Sequence, residues 1–383
     1  MPSMNQEQRE GVRGTKRTLA AAGERAAVAQ VLARLGASHP ARIPWVIGPG
    51  DDAAALHLPP GEVAVLTTDT LVEGVHFERA WTSPEDLGYK LIQSATSDVG
   101  AVGARPVAAL VAVSTPGTLA EHELLRLTDG MLEAARAHDL ALAGGDTTQA
   151  PLLVITATIL GSASPDALRT RSGARPGDRL AVTGELGDAA AGLLALKEIH
   201  AGESLSPATW LRPESALTGL ERRLAARGFA GSAPAALAAA ARRLLRPSPP
   251  IAGGALAAAA GATALIDISD GLASELGLIA EASGVGLVVE AGAVPVGAGA
   301  RAWAARQGGD PLAFALDGGE DYELLIAVSS GHWASLKAAL AAGGVRVTEI
   351  GEVVARQEGI GLRDATGKVR PLAPGGYEHF RPR

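Results

Sequence analysis

Residues 63–98 read VAVLTTDTLVEGVHFERAWTSPEDLGYKLIQSATSD, a stretch that predicts one buried strand and the helix after it. The apolar run 63–67 has the length and β-branched content of a strand, and it ends beside an acid, Asp69. Ser83 suits the N-cap of the next helix, and Pro84 suits its first position. A buried strand followed by a capped helix is the repeating unit of α/β folds.

The same alternation extends on both sides of this stretch. Further strands are predicted at 107–113, 140–143 and 152–160, with a helix over 119–138. A second set of strands and helices follows Ser164, which indicates two domains in a chain of 383 residues. The predicted fold class is therefore α/β (α+β). The predicted division is a disordered extension at 1–22, an N-terminal domain at 23–163 and a C-terminal domain at 164–383.

Composition excludes several classes of function. The formal net charge is -7 and no run of Lys or Arg stands out, so neither a nucleic-acid partner nor an anionic membrane partner is expected. Cysteine is absent, which excludes disulfides, zinc–thiolate sites, iron–sulfur clusters and cysteine nucleophiles. The N-terminus lacks the apolar core of a signal peptide, and no apolar run is long enough to span a bilayer. A cytoplasmic protein is expected.

Acidic residues repeatedly follow apolar strands or paired glycines. They are Asp51, Asp52, Asp69, Asp98, Asp146, Asp267, Asp270, Glu320 and Asp321. Ligands of α/β proteins bind where strand ends gather, and acids collected in a dry cleft need cations to stay ionised. Mg²⁺ is the natural partner, since it takes carboxylates, waters and substrate phosphates. Taken one at a time, each acid is equally explained as a turn former or a helix cap.

Familiar nucleotide and hydrolase motifs are missing. The sequence has no P-loop, no Gly-rich dinucleotide fingerprint, no nucleophile elbow and no zinc helix of the H-E-x-x-H type. Arg171 lies among small residues, where its guanidinium could hold a phosphate or could be an ordinary surface group. His76 follows Asp69 closely and could be a ligand or a structural histidine.

Taken in order, nine segments resemble the thiamine-monophosphate kinase family of the aminoimidazole ribonucleotide synthetase-like (PurM-like) superfamily. They are GPGDDAAAL, TTDTLVEGVHF, LGYKLIQSATSDVGAVGARP, LAGGDTTQAP, TRSGARPGD, RPSPP, IDISDGLASELG, LDGGEDYELL and GGYEHF. The resemblance covers most of the chain from Gly23 to Phe380. It implies two α/β domains, with the N-terminal sheet forming a barrel with a second copy in a homodimer. The N-terminal domain would bind ATP and Mg²⁺, and the C-terminal domain would complete the active site.

The resemblance also implies roles for individual positions. Those matching magnesium ligands are Asp52, Thr67, Thr68, Asp69, Asp98, Asp146, Asp267 and Asp270. Those matching nucleotide contacts are Gly145, Asp146, Arg171 and Ser269. Those matching contacts to thiamine monophosphate are His76, Glu320 and Tyr377. Asp69, Asp98 and Arg171 are expected to matter most for catalysis.

The expected reaction is direct in-line transfer of the γ-phosphoryl group of ATP to thiamine monophosphate, assisted by several Mg²⁺ ions. Two alternatives stay open. One is another ATP-dependent enzyme of the same superfamily, such as a cyclo-ligase acting on a purine intermediate. The other is a non-catalytic nucleotide-binding protein. Two regions depart from the family, the N-terminal tail 1–22 and an Ala-rich stretch around 201–243.

Overall fold

The computed structural model describes residues 17–38, 43–201, 210, 217, 219–373 and 375–378. Most of the predicted disordered extension, 1–16, lies outside these residues. Its last part contains a helical turn, α1, which Thr18 caps by accepting from the Ala21 N–H. Much of the Ala-rich stretch, 202–209 and 211–216, also lies outside the described residues.

The N-terminal half forms a four-stranded sheet with helices on one face. Its elements are α1 (Leu19–Ala22), α2 (Glu24–Ser38), β1 (Trp45–Ile47), β2 (Ala55–Leu56), β3 (Val63–Val72), α3 (Pro84–Ala101), β4 (Arg105–Thr115), α4 (Glu121–Ala137), β5 (Ala141–Gln149) and β6 (Val154–Ala163). The strand order is β3-β6-β4-β5, in which only β4 and β5 are parallel. Helices α3 and α4 pack against each other and cover one face, while β1 and β2 pair separately.

The C-terminal half forms a seven-stranded sheet with helices on both faces. Its elements are β7 (Asp178–Thr183), α5 (Asp188–His200), α6 (Leu220–Ala226), α7 (Ala233–Leu245), α8 (Ile251–Ala259), β8 (Ala262–Ile268), α9 (Leu272–Ser283), β9 (Gly286–Glu290), α10 (Ala298–Gln307), α11 (Pro311–Asp317), β10 (Glu323–Ser329), α12 (Trp333–Ala342), β11 (Val347–Val354), β12 (Ile360–Arg363) and β13 (Val369–Pro371). The strand order is β13-β12-β9-β11-β7-β10-β8. Helices α8 and α12 cover one face, and the larger core lies between the other face and the remaining helices. None of the helices within the described ranges is both long enough and apolar enough to cross a membrane.

Helix α3 begins as the sequence predicts. Ser83 is its N-cap and accepts a hydrogen bond from the Asp86 N–H at 3.1 Å, with Pro84 at the first helical position. The helix is buried along most of its length, because α4 covers one side and α8 of the C-terminal half covers another. It therefore joins the two halves of the molecule.

Glycines allow α3 to approach both of its neighbouring helices closely. A Cβ added at Gly88 would lie 2.0 Å from the Leu127 carbonyl oxygen, and one at Gly254 would lie 1.7 Å from the Gly100 carbonyl oxygen. No side chain fits at such distances, since carbon and oxygen pack at about 3.5 Å or more. These glycines thus set how closely α4 and α8 pack against α3.

The segment Gly144-Gly145-Asp146 corrects one expectation. The sequence predicts a strand that ends at Ala143 with a turn after it, whereas β5 continues through the glycines to Gln149. A Cβ on Gly145 would lie 1.7 Å from the Val111 carbonyl oxygen of β4. Gly145 is therefore required for the close approach of two parallel strands, a role that its position beside an acid does not reveal.

Gly88→Ala is expected to destabilise the fold, because the added methyl group would have to push α4 away from α3. Overpacking of this kind costs about 1–3 kcal/mol. Chemical denaturation at fixed pH measures the change in the free energy of unfolding. Gly277→Ala on α9 is the matched control, since its Cβ would meet nothing within 4 Å. Alanine should stabilise that helix by about 0.5–1 kcal/mol. Equal stabilities for the two variants would contradict the close crossing.

Candidate active site

A cavity of about 590 Å³ is lined by residues from both halves of the molecule. Its ionisable and hydroxyl lining residues are Asp69, Thr70, His76, Ser94, Asp98, Asp267, Ser269, Asp270, Glu320, Tyr322, Tyr377 and Glu378. Its apolar lining residues are Leu71, Val75, Ala189, Ala190, Leu193 and Leu244. The wall of a single cleft thus combines a group of acids with apolar surface, as in sites that bind an ionic group and an organic group together.

Three carboxylates from separate elements meet at the acidic end. Asp69 comes from β3, Asp98 from the last turns of α3, and Asp267 from β8. Hydroxyl groups hold two of them, since Thr67 Oγ1 donates to Asp98 Oδ2 at 2.6 Å and Ser97 Oγ donates to Asp267 Oδ2 at 2.6 Å. The second of these hydrogen bonds crosses from the N-terminal half to the C-terminal half.

Burial and crowding raise the pKa values of Asp69 and Asp267. Burial, followed by repulsion from Asp98, raises the pKa of Asp69 to about 6. Burial and repulsion from the same carboxylate raise the pKa of Asp267 to about 7. A normal aspartate titrates near 4, so both groups hold their negative charge only with difficulty in the protein alone.

The residues present fit divalent cations. The carboxylates repel one another, and a cation between them would remove that repulsion. Among the described residues no three His, Asp or Glu side chains already surround a single point. Mg²⁺ requires no such protein cage, because it is usually bound through one or two carboxylates, waters and substrate phosphates.

The segment after β8 brings a fourth aspartate to the cavity. The Asp270 N–H donates to Glu275 Oε1 at 3.0 Å, and the Asp270 carbonyl oxygen accepts from the Tyr377 N–H at 3.1 Å. Burial raises the pKa of Glu275 to about 8, so this residue is largely a neutral acid near pH 7. The C-terminal Tyr377 is thereby fastened to the loop that carries Asp270.

The loop between α11 and β10 brings Glu320 to the cavity. Glu320 and Tyr322 both have positive φ values, 68° and 52°, which residues with side chains seldom adopt. Their N–H groups donate to the Ser269 and Ile268 carbonyl oxygens at 2.7 and 2.8 Å. Between them, Asp321 accepts from two N–H groups at the start of α5, Gly187 at 2.6 Å and Ala189 at 3.2 Å. Burial raises the pKa of Asp321 to about 7.

His76 lines the cavity in one defined tautomer. Its Nδ1 accepts a hydrogen bond from the Val72 N–H at 3.0 Å, so in the neutral ring the proton is on Nε2. A neutral imidazole oriented in this way presents an N–H donor at Nε2, which is the group that a phosphate oxygen accepts from.

Comparison with known proteins matches this arrangement. The family models for the N-terminal and C-terminal domains of AIR synthase related proteins match residues 50–163 and 175–363. Thiamine-monophosphate kinase from Bacillus subtilis is 34% identical over 339 residues, which cover 88% of this chain and 94% of that protein. The chain belongs to the thiamine-monophosphate kinase family.

Solved structures of the thiamine-monophosphate kinase family have the same fold. The enzyme from Stenotrophomonas maltophilia K279a is 32% identical, with a TM-score of 0.73 over 90% of this chain and 97% of that one. AaThiL complexed with AMPPCP and TMP is 27% identical, with a TM-score of 0.67 over 99% of this chain and 100% of that one. The α/β, two-domain architecture expected from the sequence is therefore confirmed.

Most of the residues matched to the family's site line the one cavity. They are Asp69, His76, Asp98, Asp267, Ser269, Asp270, Glu320 and Tyr377. Thr67 joins them through its hydrogen bond to Asp98. The individual roles assigned to these residues remain predictions, although their convergence is a feature of the structure.

Five matched residues lie outside the cavity. They are Asp52, Thr68, Gly145, Asp146 and Arg171. Thr68 is exposed on the opposite face of β3 from Asp69, because successive side chains of a strand alternate. Gly145 is level with Asp69 in the sheet but three strands away, at about 14 Å for a spacing of about 4.8 Å. Asp52 and Arg171 are exposed.

Sequence reasoning missed several residues that line or support the cavity. Ser94, Tyr322 and Glu378 line the cavity, and Lys90 forms an ion pair with Glu320. A signal for two of them was present, since Lys90, Ser94 and Asp98 recur every four residues and so share one face of α3. A stripe of polar side chains at this spacing, ending at Asp98, indicates a helix face turned towards a site.

In the absence of divalent cations, the stability of the protein is expected to fall as the pH rises. Asp69 and Asp267 keep protons in the folded state up to pKa values of about 6 and about 7, whereas in the unfolded chain they lose them near 4. Their contribution to stability is therefore complete below about pH 4 and is lost as the pH rises through about 7. Thermal unfolding in EDTA should show a falling Tm, and Mg²⁺ should raise the Tm more at about pH 8 than at about pH 5.

Asp267→Asn isolates the contribution of the acid cluster. The raised pKa values of Glu275 and Asp321 also make stability fall with pH, and the variant keeps their share. The Tm of the variant in EDTA should fall less steeply with pH than that of the unaltered protein. An unchanged slope, or an equal effect of Mg²⁺ at both pH values, would show that the acids do not form a cation site.

Proposed function

We propose that the protein transfers the γ-phosphoryl group of ATP to the phosphate of thiamine monophosphate, giving thiamine diphosphate and ADP. The relatives named thiamine-monophosphate kinase and the AaThiL complex with AMPPCP and TMP support this activity. The observation that carries the proposal is a single cavity that combines three crowded aspartates with an apolar wall and a separate carboxylate, Glu320. Such a cavity suits two phosphorylated ligands, one of which carries an organic cation.

The apolar end of the cavity suits the thiamine part of the acceptor. Leu193, Leu244 and Val75 offer apolar surface for its rings, and the Tyr377 ring offers a π-face. A cation over an aromatic face gains about 0.5–2 kcal/mol. The Glu320 carboxylate adds an opposite charge for the thiazolium. His76 also lines the cavity, and we propose that it contacts the acceptor's phosphate.

The chemistry requires no side-chain nucleophile or general base. A phosphate oxygen of thiamine monophosphate is already ionised near pH 7, and it forms the new bond to the γ-phosphorus as the bond to the β–γ bridging oxygen breaks. The obstacle is repulsion between two anions, which positioning and fixed positive charge must overcome. We propose that Asp69, Asp98, Asp267 and Asp270 hold the Mg²⁺ ions, which when bound offset the charge of the phosphates.

Asp98→Asn should leave a folded protein with little turnover. Asp98 repels both Asp69 and Asp267, so it stands at the centre of the proposed cation site. Loss of one charge-stabilising group in a dry site lowers kcat by about 10²–10³-fold. A coupled ADP assay with ATP, Mg²⁺ and thiamine monophosphate measures turnover, and product mass identifies thiamine diphosphate.

Asp166→Asn is the matched control, because Asp166 is exposed and does not line the cavity. It should keep normal turnover. ADP release that does not depend on thiamine monophosphate, or turnover with a purine intermediate instead, would favour another member of the superfamily. Normal activity of Asp98→Asn would exclude the proposed site.

A homodimer is part of the same proposal. The outer face of the four-stranded sheet exposes large apolar side chains, with Leu66 on β3 69% exposed and Leu110 on β4 50% exposed. Beside them, Thr68 and Thr158 form a cross-strand hydroxyl pair at 3.1 Å. An exposed apolar sheet face of this kind marks an interface, and a second copy supplies a self-complementary partner. We propose that the two sheets close into the barrel-like interface expected from the family.

The dimer would also account for the position of Asp146. Within one chain β3 and β5 are opposite edges of the sheet, so Asp146 on β5 cannot reach Asp69 on β3. A two-fold axis through the exposed face would bring β5 of one copy alongside β3 of the other. We also propose that Arg171 and Asp52 reach the ligands only in the dimer with its ligands bound. The enzyme is further proposed to work in the cytoplasm, and its two domains to divide between residues 163 and 164.

Leu66→Glu is expected to give a monomer with little activity. The added carboxylate would have to be buried unpaired against the second sheet, which costs several kcal/mol. Light scattering after size exclusion measures the mass, and the ADP assay measures turnover. Val369→Glu on β13 is the control, since Val369 is also exposed but belongs to the other sheet. A fully active monomer would contradict a shared site.

A further inference from the structure

Lys90 is a buried cation beside the cavity that the proposed chemistry does not use. Only 2% of its side chain is exposed, near the middle of α3. An ammonium group is costly to bury unless it is paired and hydrogen-bonded. Its Nζ lies 2.5 Å from Glu320 Oε1 and 3.4 Å from the His76 carbonyl oxygen. Both partners belong to residues that line the cavity.

The pair joins the two halves of the molecule at the cavity wall. Lys90 belongs to a helix of the N-terminal half, and Glu320 belongs to the loop between α11 and β10 of the C-terminal half. The Glu320 backbone is already fixed, with a positive φ of 68° and its N–H bound to the Ser269 carbonyl oxygen. The freedom that remains is in the side-chain torsions, and the contact with Lys90 removes it.

The Glu320 carboxylate could turn either towards the acids around Asp69 or towards an organic ligand in the cavity. It is close enough to the acid cluster that its charge contributes to raising the pKa of Asp69. Without a compensating cation it could turn to share the metal ions with Asp69. The buried ammonium of Lys90 compensates one carboxylate oxygen, and Glu320 stays 28% exposed to the cavity. Held in this way, the Glu320 carboxylate faces the cavity in one orientation, and Lys90 neutralises part of its charge.

We propose that Lys90 is a positioning residue, which holds the Glu320 carboxylate towards the organic cation of the phosphate acceptor and away from the metal cluster. This role rests on the proposed function. The Lys90–Glu320 pair would set the affinity of that site for thiamine monophosphate. Lys90 does not touch the reacting phosphates. Its loss should therefore weaken binding of the acceptor while leaving binding of ATP intact.

Lys90→Met tests the proposal, because it keeps the length of the side chain and removes the charge. The KM for thiamine monophosphate should rise by about tenfold or more, as expected for loss of a buried charge contact. The KM for ATP should change by less than about twofold. Calorimetric titration of thiamine monophosphate without ATP should show the same loss of affinity. Lys337→Met is the matched control, since Lys337 is exposed on α12; it should change neither constant.

The double variant tests whether Lys90 acts through Glu320. Glu320→Gln alone should raise the acceptor KM, and adding Lys90→Met should raise it little further, because residues that act as one unit are not additive. The double variant removes both charges of the pair, so its acceptor KM can be compared with that of the unaltered protein even where a single variant, which leaves one charge unpaired, does not fold.

Three results would overturn the proposal. The first is an unchanged acceptor KM in Lys90→Met, and the second is an equal rise in the KM for ATP. The third is an acceptor KM in the double variant that rises by the product of the two single increases. The first two describe a purely structural lysine. Failure of the unaltered protein to phosphorylate thiamine monophosphate would overturn the proposed function as well, and that result is visible before any variant is measured.

Discussion

Burial of charge on one face of α3 is the constraint on which the site depends. The helix is buried along most of its length, yet it presents Lys90, Ser94 and Asp98 on one face. Lys90 and Asp98 require partners to offset their lost hydration, and these partners lie on other elements, whereas Ser94 Oγ donates within the helix to the Leu91 carbonyl oxygen. Thr67 donates to Asp98, and Glu320 pairs with Lys90. The cavity thus forms where the polar side chains of α3 meet their partners. Its remaining negative charge makes it receptive to cations.

Both halves of the molecule contribute acids to the cavity. The N-terminal half supplies Asp69 and Asp98, and the C-terminal half supplies Asp267 on β8 together with the loop that carries Glu320. The halves are held together next to the acids, where Gly254 of α8 lies against Gly100 of α3 and Ser97 donates to Asp267. Because these contacts are short and directional, the position of Asp98 relative to Asp267 is fixed by the packing of the two halves against each other.

Much of this site could be predicted from the sequence, for identifiable reasons. Asp69 and Asp267 follow apolar runs, which predicted acids carried by buried strands. The expectation that the first of these strands ends beside Asp69 was wrong, because β3 continues to Val72. Three features could not be predicted in this way. Gly145 permits close strand pairing, and the strand continues through Asp146, because the approach of β4 is a tertiary fact. Lys90 looks like a solvent-exposed lysine until its helix is known to be buried. The positive φ of Glu320 depends on hydrogen bonds to a segment some fifty residues earlier in sequence, around Ser269.

Strand β3 links the site to the proposed dimer through its alternation. Thr67, Asp69 and Leu71 face α3 and the cavity, while Leu66 and Thr68 face outwards from the same backbone. In a strand, a shift of one residue exchanges the two sets, so the register that presents Asp69 to the cavity also exposes Leu66 on the outer face. The pairing of β3 with β6 fixes that register over ten residues. A partner sheet packed on the outer face would restrain the same backbone that positions Asp69. In the proposed dimer, one strand register would therefore serve both the interface and the active site.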